Sequence, residues 1–271
     1  MGEFCFRERS IKLGQKTYVM GIINATPDSF SDGGRYNSAD TALKAAIEME
    51  NLGADFIDIG GQSTRPGHIP ITPEEEWERL KEILPLIVKN TKLPVSVDTF
   101  YPFVAEKALE AGCFIINDVS GKVSAEMAEV VKKYSAGWVL MHSGEEETDN
   151  IVKCVHQRLL KMKEEAMCFG VNEKNICLDP GIGFGKTMEQ NRLLIKHTSG
   201  VKVPGTAYLL GASRKRIIGE ALEKETPFDR RDPGTVAINT IGIMGGADIV
   251  RVHDCFSACQ ATAVADYIIN P

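Results

Sequence analysis

Pro94-Val-Ser-Val-Asp-Thr-Phe-Tyr-Pro-Phe-Val-Ala-Glu-Lys-Ala-Leu-Glu-Ala-Gly-Cys-Phe-Ile-Ile-Asn117 contains one complete structural unit. The short run Pro94–Asp98 reads as a strand. A polar turn follows, then Phe103–Ala111 at helical spacing, stopped at Gly112 by the residue that best tolerates a left-handed C-terminal position. Phe114–Asn117 then reads as the next strand. The same alternation recurs along the chain, with further strands predicted at Tyr18–Asn24, Asp55–Gly60, Gly137–Met141, Asn175–Asp179, Ala207–Gly211 and Ile249–Val252. Most are continuously apolar, as strands covered on both faces should be.

Helices are predicted between them at Ser38–Leu52, Thr72–Asn90, Ser124–Tyr134, Asn150–Phe169, Glu189–Lys196, Asp232–Met244 and Phe256–Ile269. Ser38-Ala-Asp offers a cap followed by an acid. Thr72-Pro-Glu-Glu-Glu places proline and acids in a first turn, where the helix dipole favours them. Strand–helix alternation implies parallel pairing with right-handed crossovers. A closed barrel and an open doubly wound sheet both satisfy it. Eight strands in 271 residues favour the barrel. The expectation is α/β, a single (β/α)8 TIM barrel over residues 1–271, with 1–17 as an N-terminal extension and Ser143–Asn150 as a long loop.

Composition narrows the function. Hydrophobic residues at 43% and charged residues at 25% suit a folded core. A net charge of −6 argues against a broad nucleic-acid surface. No apolar run reaches the ~18 residues of a membrane span, and Met1–Lys16 lacks an apolar signal core, so a cytoplasmic location is expected. Seven cysteines without a C-x-x-C pair suggest neither a zinc site nor a disulfide framework.

In such a barrel, chemistry sits at the carboxyl ends of the strands. Those positions hold Asn24, Asp98, Asn117, His142, Asp179, Lys215, Arg251 and His253. That many hydrogen-bonding groups on one rim point to a polar small-molecule site. Asp98 and Asp179, with Asn117 between them in barrel order, suit a flat heterocycle with amide and amino edges, because carboxylates accept from N–H pairs and Asn both donates and accepts. Arg214, Lys215, Arg251 and His253 follow the last two strands, where barrel enzymes often bind phosphate. Gly181, Gly183 and Gly185 do not form a dinucleotide fingerprint, and no P-loop is present.

In order and spacing, these segments resemble the dihydropteroate synthase family. The resemblance rests on Met20-Gly-Ile-Ile-Asn24-Ala-Thr-Pro-Asp28-Ser-Phe30-Ser-Asp32-Gly-Gly34, Asp58-Ile-Gly-Gly61, Ser63-Thr-Arg-Pro-Gly67, Ser96-Val-Asp-Thr99 and Ile116-Asn-Asp-Val-Ser-Gly121. It continues in Asp179-Pro-Gly-Ile-Gly-Phe-Gly-Lys186, Gly211-Ala-Ser-Arg-Lys215 and Arg251-Val-His-Asp254. It implies a homodimeric TIM barrel that condenses 6-hydroxymethyl-7,8-dihydropterin diphosphate with 4-aminobenzoate, assisted by Mg²⁺, and that sulfonamides block.

Carried over, the resemblance implies catalytic roles for Asn24, Asp98, Lys215, Arg251 and His253. Thr64, Asp98, Asn117, Asp179, Lys215, Arg251 and His253 would bind the pterin diphosphate. Phe30, Thr64, Arg65, Pro66, Lys215 and Arg216 would bind aminobenzoate, and Asn24 would be the metal-linked residue. The chain departs from the family at Gln62, usually Glu, and in the Ser-Gly-Glu-Glu-Glu-Thr stretch after His142. A methyltetrahydrofolate–corrinoid methyltransferase is an alternative that lacks the first loop. A non-catalytic pterin-binding paralogue is another. Pyrophosphate release with both substrates separates all three.

Overall fold

The chain enters through a hairpin that the sequence does not announce: β1 (Glu3–Phe6) and β2 (Arg9–Lys12) pair antiparallel. It lies within the expected extension 1–17. The structure, a computed structural model, describes residues 2–25, 34–62, 70–222 and 226–269.

Eight parallel strands follow: β3 (Tyr18–Asn24), β4 (Phe56–Gly60), β5 (Val95–Asp98), β6 (Ile115–Asp118), β7 (Gly137–Met141), β8 (Ile176–Asp179), β9 (Ala207–Leu210) and β10 (Ile249–Val252). Each pairs with the next, and β10 closes on β3, so the expected closed (β/α)8 barrel is the observed fold and the open sheet is not.

The helices are α1 (Gly34–Asn51), α2 (Pro73–Leu80), α3 (Ile83–Asn90), α4 (Pro102–Glu110), α5 (Ala125–Tyr134), α6 (Ile151–Cys168), α7 (Met188–Lys196), α8 (Thr198–Val201), α9 (Arg216–Ala221), α10 (Asp232–Met244) and α11 (Cys255–Ile269). Some helices differ from the sequence reading. The single helix predicted over Thr72–Asn90 is two. Pro85 has no N–H to give the Lys81 carbonyl and its ring crowds that carbonyl, so the first helix ends and Pro85 sits in the first turn of the second. Thr72 does cap α2, in a complete capping box with Glu75. Ser38 lies inside α1, not at its cap. The short α9 is too brief to show a periodic signal.

The two-residue period of the strands positions the site. Val19, Ile57, Val97, Ile116, Leu140, Leu178, Leu210 and Val250 face outward into the core shared with the helices. Met20, Phe56, Ile115, Val139, Cys177, Leu209 and Ile249 face inward and pack on Phe4, Phe6 and Leu13. The hairpin therefore fills the amino end of the barrel, and Phe6 meets Phe56 edge-on at 5.5 Å. One inward step toward the carboxyl end leads from Phe56 to Asp58, Ile115 to Asn117, Cys177 to Asp179 and Ile249 to Arg251. The floor of the barrel is oily and its mouth is ionic because alternate residues change character at this level.

Asn175 secures the hairpin. Its Nδ2 donates to the carbonyls of Cys5 (3.0 Å), Ser135 (2.9 Å) and Ala136 (3.1 Å). Asn175→Ala takes this donor from all three carbonyls, of which the Ala136 contact is buried, and should lower stability by about 1–3 kcal/mol while ligand affinity at the other end of the barrel stays unchanged. Urea unfolding and ligand titration on the same preparation check both parts.

Candidate active site

A cavity of about 1250 Å³ opens at the carboxyl end of the barrel. It exceeds the usual room for one drug-sized ligand. Asn24, Asp98, Asn117 and Asp179 line it from β3, β5, β6 and β8; Lys215, Arg216, Arg251 and His253 line it from the last two strand ends. The expected site residues among those described thus meet in one place. Phe30, Thr64, Arg65 and Pro66 lie outside the described residues.

At its centre a single arginine holds two carboxylates. Arg251 donates through Nε to Asp58 Oδ2 at 2.6 Å and through Nη2 to Asp98 Oδ2 at 2.9 Å. Asn117 Nδ2 donates to the same Asp58 oxygen at 3.0 Å. Burial opposes the charge of Arg251, but Asp58 and Asp98 outweigh it and hold the guanidinium above its ordinary pKa. Burial pushes Asp98 up, Arg251 pulls it back, and Asp58 and Glu76 push it up again; the net effect is upward.

Asp179 is buried and its Oδ1 accepts from the Gly181 amide at 2.7 Å. Burial raises its pKa; Lys215 and that amide oppose the rise. Gly181 adopts φ +67, and a Cβ there would fall 1.8 Å from the His142 carbonyl oxygen, so only glycine lets these two loops touch. Lys215 donates to the Ile182 carbonyl and lies over the Phe184 ring, 4.6 Å from its centroid. Burial lowers Lys215 to about 8 against the pull of Asp179. Ser213 Oγ and His253 Nδ1 are 2.9 Å apart.

Of the four basic residues named at the last two strand ends, Arg214 also lines the cavity but is held in an ion pair. Nε and Nη2 of Arg214 form a fork with Asp232 at 2.7 Å each. The loop 143–150 is long as expected, and it lines the cavity with Glu145, Glu146 and Glu147. Glu146 is tied to His142 Nε2 at 3.2 Å and to Arg158 Nε at 3.1 Å.

Asp58 and Lys186 lie inside quoted motifs, yet spacing alone assigns them no role. A charged residue in the apolar run Phe56–Gly60 was the available signal for Asp58. Lys186 is buried, donates to the His142 (3.2 Å) and Phe184 (3.0 Å) carbonyls, and is lowered by burial to about 8. Phe184 and Ser213 also line the cavity; their contribution depends on loop geometry that no pattern shows.

Comparison with known proteins agrees with this geometry. Residues 20–253 match the family described as pterin binding enzyme. A dihydropteroate synthase of Clostridium beijerinckii is 45% identical over 97% of this chain and 98% of its own length. One of Bacillus subtilis is 43% identical over 94% and 90%. A crystal structure of a Clostridium difficile dihydropteroate synthase in the presence of pteroic acid superposes with a TM-score of 0.91 at 40% identity, covering 96% of this chain and 100% of that one. A Xanthomonas albilineans dihydropteroate synthase in complex with 7,8-dihydropteroate gives 0.88 at 34% identity, with 97% of each chain covered. With the barrel, the ionic mouth and near-full-length relatives in agreement, the chain belongs to the pterin binding enzymes and, within them, to the dihydropteroate synthase family.

Proposed function

We propose that the chain condenses 6-hydroxymethyl-7,8-dihydropterin diphosphate with 4-aminobenzoate to give 7,8-dihydropteroate and pyrophosphate, using the residues gathered at the barrel mouth. The observation that carries this reading is the convergence of Asp98, Asn117 and Asp179 on the cavity that also holds Lys215, Arg251 and His253. The carboxylates and the amide match the N–H-rich edge of a pterin, and the cations match a diphosphate.

The dihydropterin ring is electron-rich and stabilises positive charge on its methylene carbon. The carbon–oxygen bond to the diphosphate breaks, and its electron pair leaves with pyrophosphate. The amine nitrogen of aminobenzoate forms the new carbon–nitrogen bond and loses a proton to solvent. That amine is neutral at pH 7, so no covalent nucleophile and no strong base are required. Arg251, His253 and Asn24 act where charge grows on the leaving group, and Lys215 lies in the pterin pocket. Arg251 retains N–H donors beyond the two spent on Asp58 and Asp98. Lys215 and Arg216 are assigned to the aminobenzoate end.

Asn24 sits half-buried at the end of β3 and lines the cavity. No cluster of three or more His, Cys, Asp or Glu side chains able to hold a metal occurs among the described residues. One amide oxygen beside a diphosphate suits Mg²⁺, which keeps several waters and takes substrate phosphate oxygens. Asn24 Oδ1 would hold it with those oxygens, and when bound it supplies charge neutralisation to the departing pyrophosphate.

Assembly as a homodimer belongs to the same proposal. Met244 on α10 and Phe256, Val264, Tyr267 and Ile268 on α11 are all more than half exposed, an apolar surface that a second copy would cover. A cytoplasmic location is also proposed, and no helix among the described residues is long and apolar enough to cross a membrane.

Pyrophosphate release tests the reaction. It is expected only when both substrates are present. Release from pterin diphosphate alone at the same rate would mean hydrolysis, and no release at all would favour a binding protein without this chemistry.

A further inference from the structure

Behind Asp98, away from the cavity, lies a second buried acid that the reaction does not use. Glu76 on α2 is fully buried. Its Oε2 accepts from the Thr99 hydroxyl at 2.8 Å. Thr99 follows Asp98 directly and holds the end of β5 in place: its amide donates to the Asn117 carbonyl at 3.1 Å, and its hydroxyl accepts from the Tyr101 amide at 3.2 Å. Among the described residues, Glu76 Oε1, both amide atoms of the buried Gln62 and Asp98 Oδ1 have no well-aligned hydrogen-bond partner. Gln62 nevertheless lies close enough to Glu76 to favour its charged form.

We propose that Glu76 is a positioning residue for the pterin site: through Thr99 and beside Gln62 it pins the end of β5 and governs the charge that Asp98 presents to the ring. This rests on the reading that Asp98 faces the pterin. Glu76 acts on Asp98 as a like charge and opposes its ionisation. Burial raises Glu76 to about 7 despite Thr99, Arg79 and Gln62. The charged groups around Asp98 are Arg251, Asp58, Glu76 and Asp118, with Lys215 opposite. Around Glu76 they are Arg79 on its own helix and Asp98 on β5, with the Tyr101 phenol nearby.

When Glu76 carries the proton, Asp98 keeps its charge and accepts from the ring. An ionised Glu76 raises the proton affinity of Asp98, so Asp98 then takes its charge only at higher pH. Gln62 suits both states of Glu76, because its amide accepts from a carboxylic acid and donates to a carboxylate. A glutamate at 62 would instead add a third acid that competes for the same proton.

The test is the pH dependence of 6-hydroxymethyl-7,8-dihydropterin binding, followed by calorimetry between about pH 5 and 9 for the wild type, Glu76→Gln and Gln62→Glu. Affinity falls toward acid as Asp98 protonates. Glu76→Gln removes a like charge, so the midpoint should move down by about half to one pH unit, a three- to tenfold loss of proton affinity. Gln62→Glu should move it up. Either variant decides alone if the other does not fold. A shift in the stated direction supports the role, and a midpoint that coincides with the wild type overturns it, whatever happens to thermal stability. Wild type that binds pterin but releases no pyrophosphate overturns the reaction assigned above and leaves the midpoint to decide on Glu76. Wild type that binds no pterin overturns both.

Discussion

Arg251→Ala should abolish measurable turnover and cost about 3–5 kcal/mol of stability at pH 8, the usual penalty for stranding a buried charge. Arg251 joins Asp58 and Asp98, which are 0% and 5% exposed, and both oxygens it touches lose their cation in the variant. The sign of the pH dependence follows from Asp98. Burial raises its pKa and Arg251 lowers it, so removing Arg251 raises it further. A carboxyl raised in the folded state binds more protons there than in the unfolded chain. Its contribution is therefore full below the unfolded value near 4 and is lost as pH rises through the folded value. The stability difference between wild type and variant should accordingly be larger at pH 8 than at pH 5.5. Urea unfolding at the two pH values measures it. Equal differences would show that Arg251 does not compensate the carboxylates.

Asp179→Ala should weaken pterin binding ten- to a hundred-fold, about 1.5–3 kcal/mol, the cost of losing a charged hydrogen-bond acceptor. Asp179 Oδ1 is engaged with the Gly181 amide. Oδ2 lies next to Gly211, where an added Cβ would come within 3.3 Å of it, so the bare glycine leaves that oxygen room to meet a ligand. The alanine variant also releases the Gly181 turn. Asp179→Asn is the control, since it keeps an acceptor for the Gly181 amide and loses the charge. Calorimetric titration should place Asn between wild type and Ala. Unchanged affinity in both would remove Asp179 from the pterin pocket.

The sequence alone determined the strand–helix alternation, favoured the barrel over an open sheet, and set the level of its chemistry. Eight apolar runs separated by helical stretches leave few topologies, because parallel strands need crossovers and each strand must be covered on both faces. The polar residues that end those runs, Asn24, Asp98, Asn117 and Asp179, had to share one rim once the barrel closed. Local signals also set the ends of several helices, as at Thr72 and Gly112.

Only the tertiary structure decided who touches whom across that rim. The Arg251–Asp58 and Arg251–Asp98 bonds join residues 193 and 153 positions apart, and no local spacing encodes them. The same holds for Asn175 reaching back to Cys5, and for a hairpin too short and too charged to read as the floor of a barrel. Glu76 shows the limit most plainly. Within Thr72-Pro-Glu-Glu-Glu it is one acid of three in a first turn, where the helix dipole explains all of them equally. Its burial comes from α2 packing on α3 and α4 and lying against Gly61 and Thr99, which depends on contacts between segments distant in sequence.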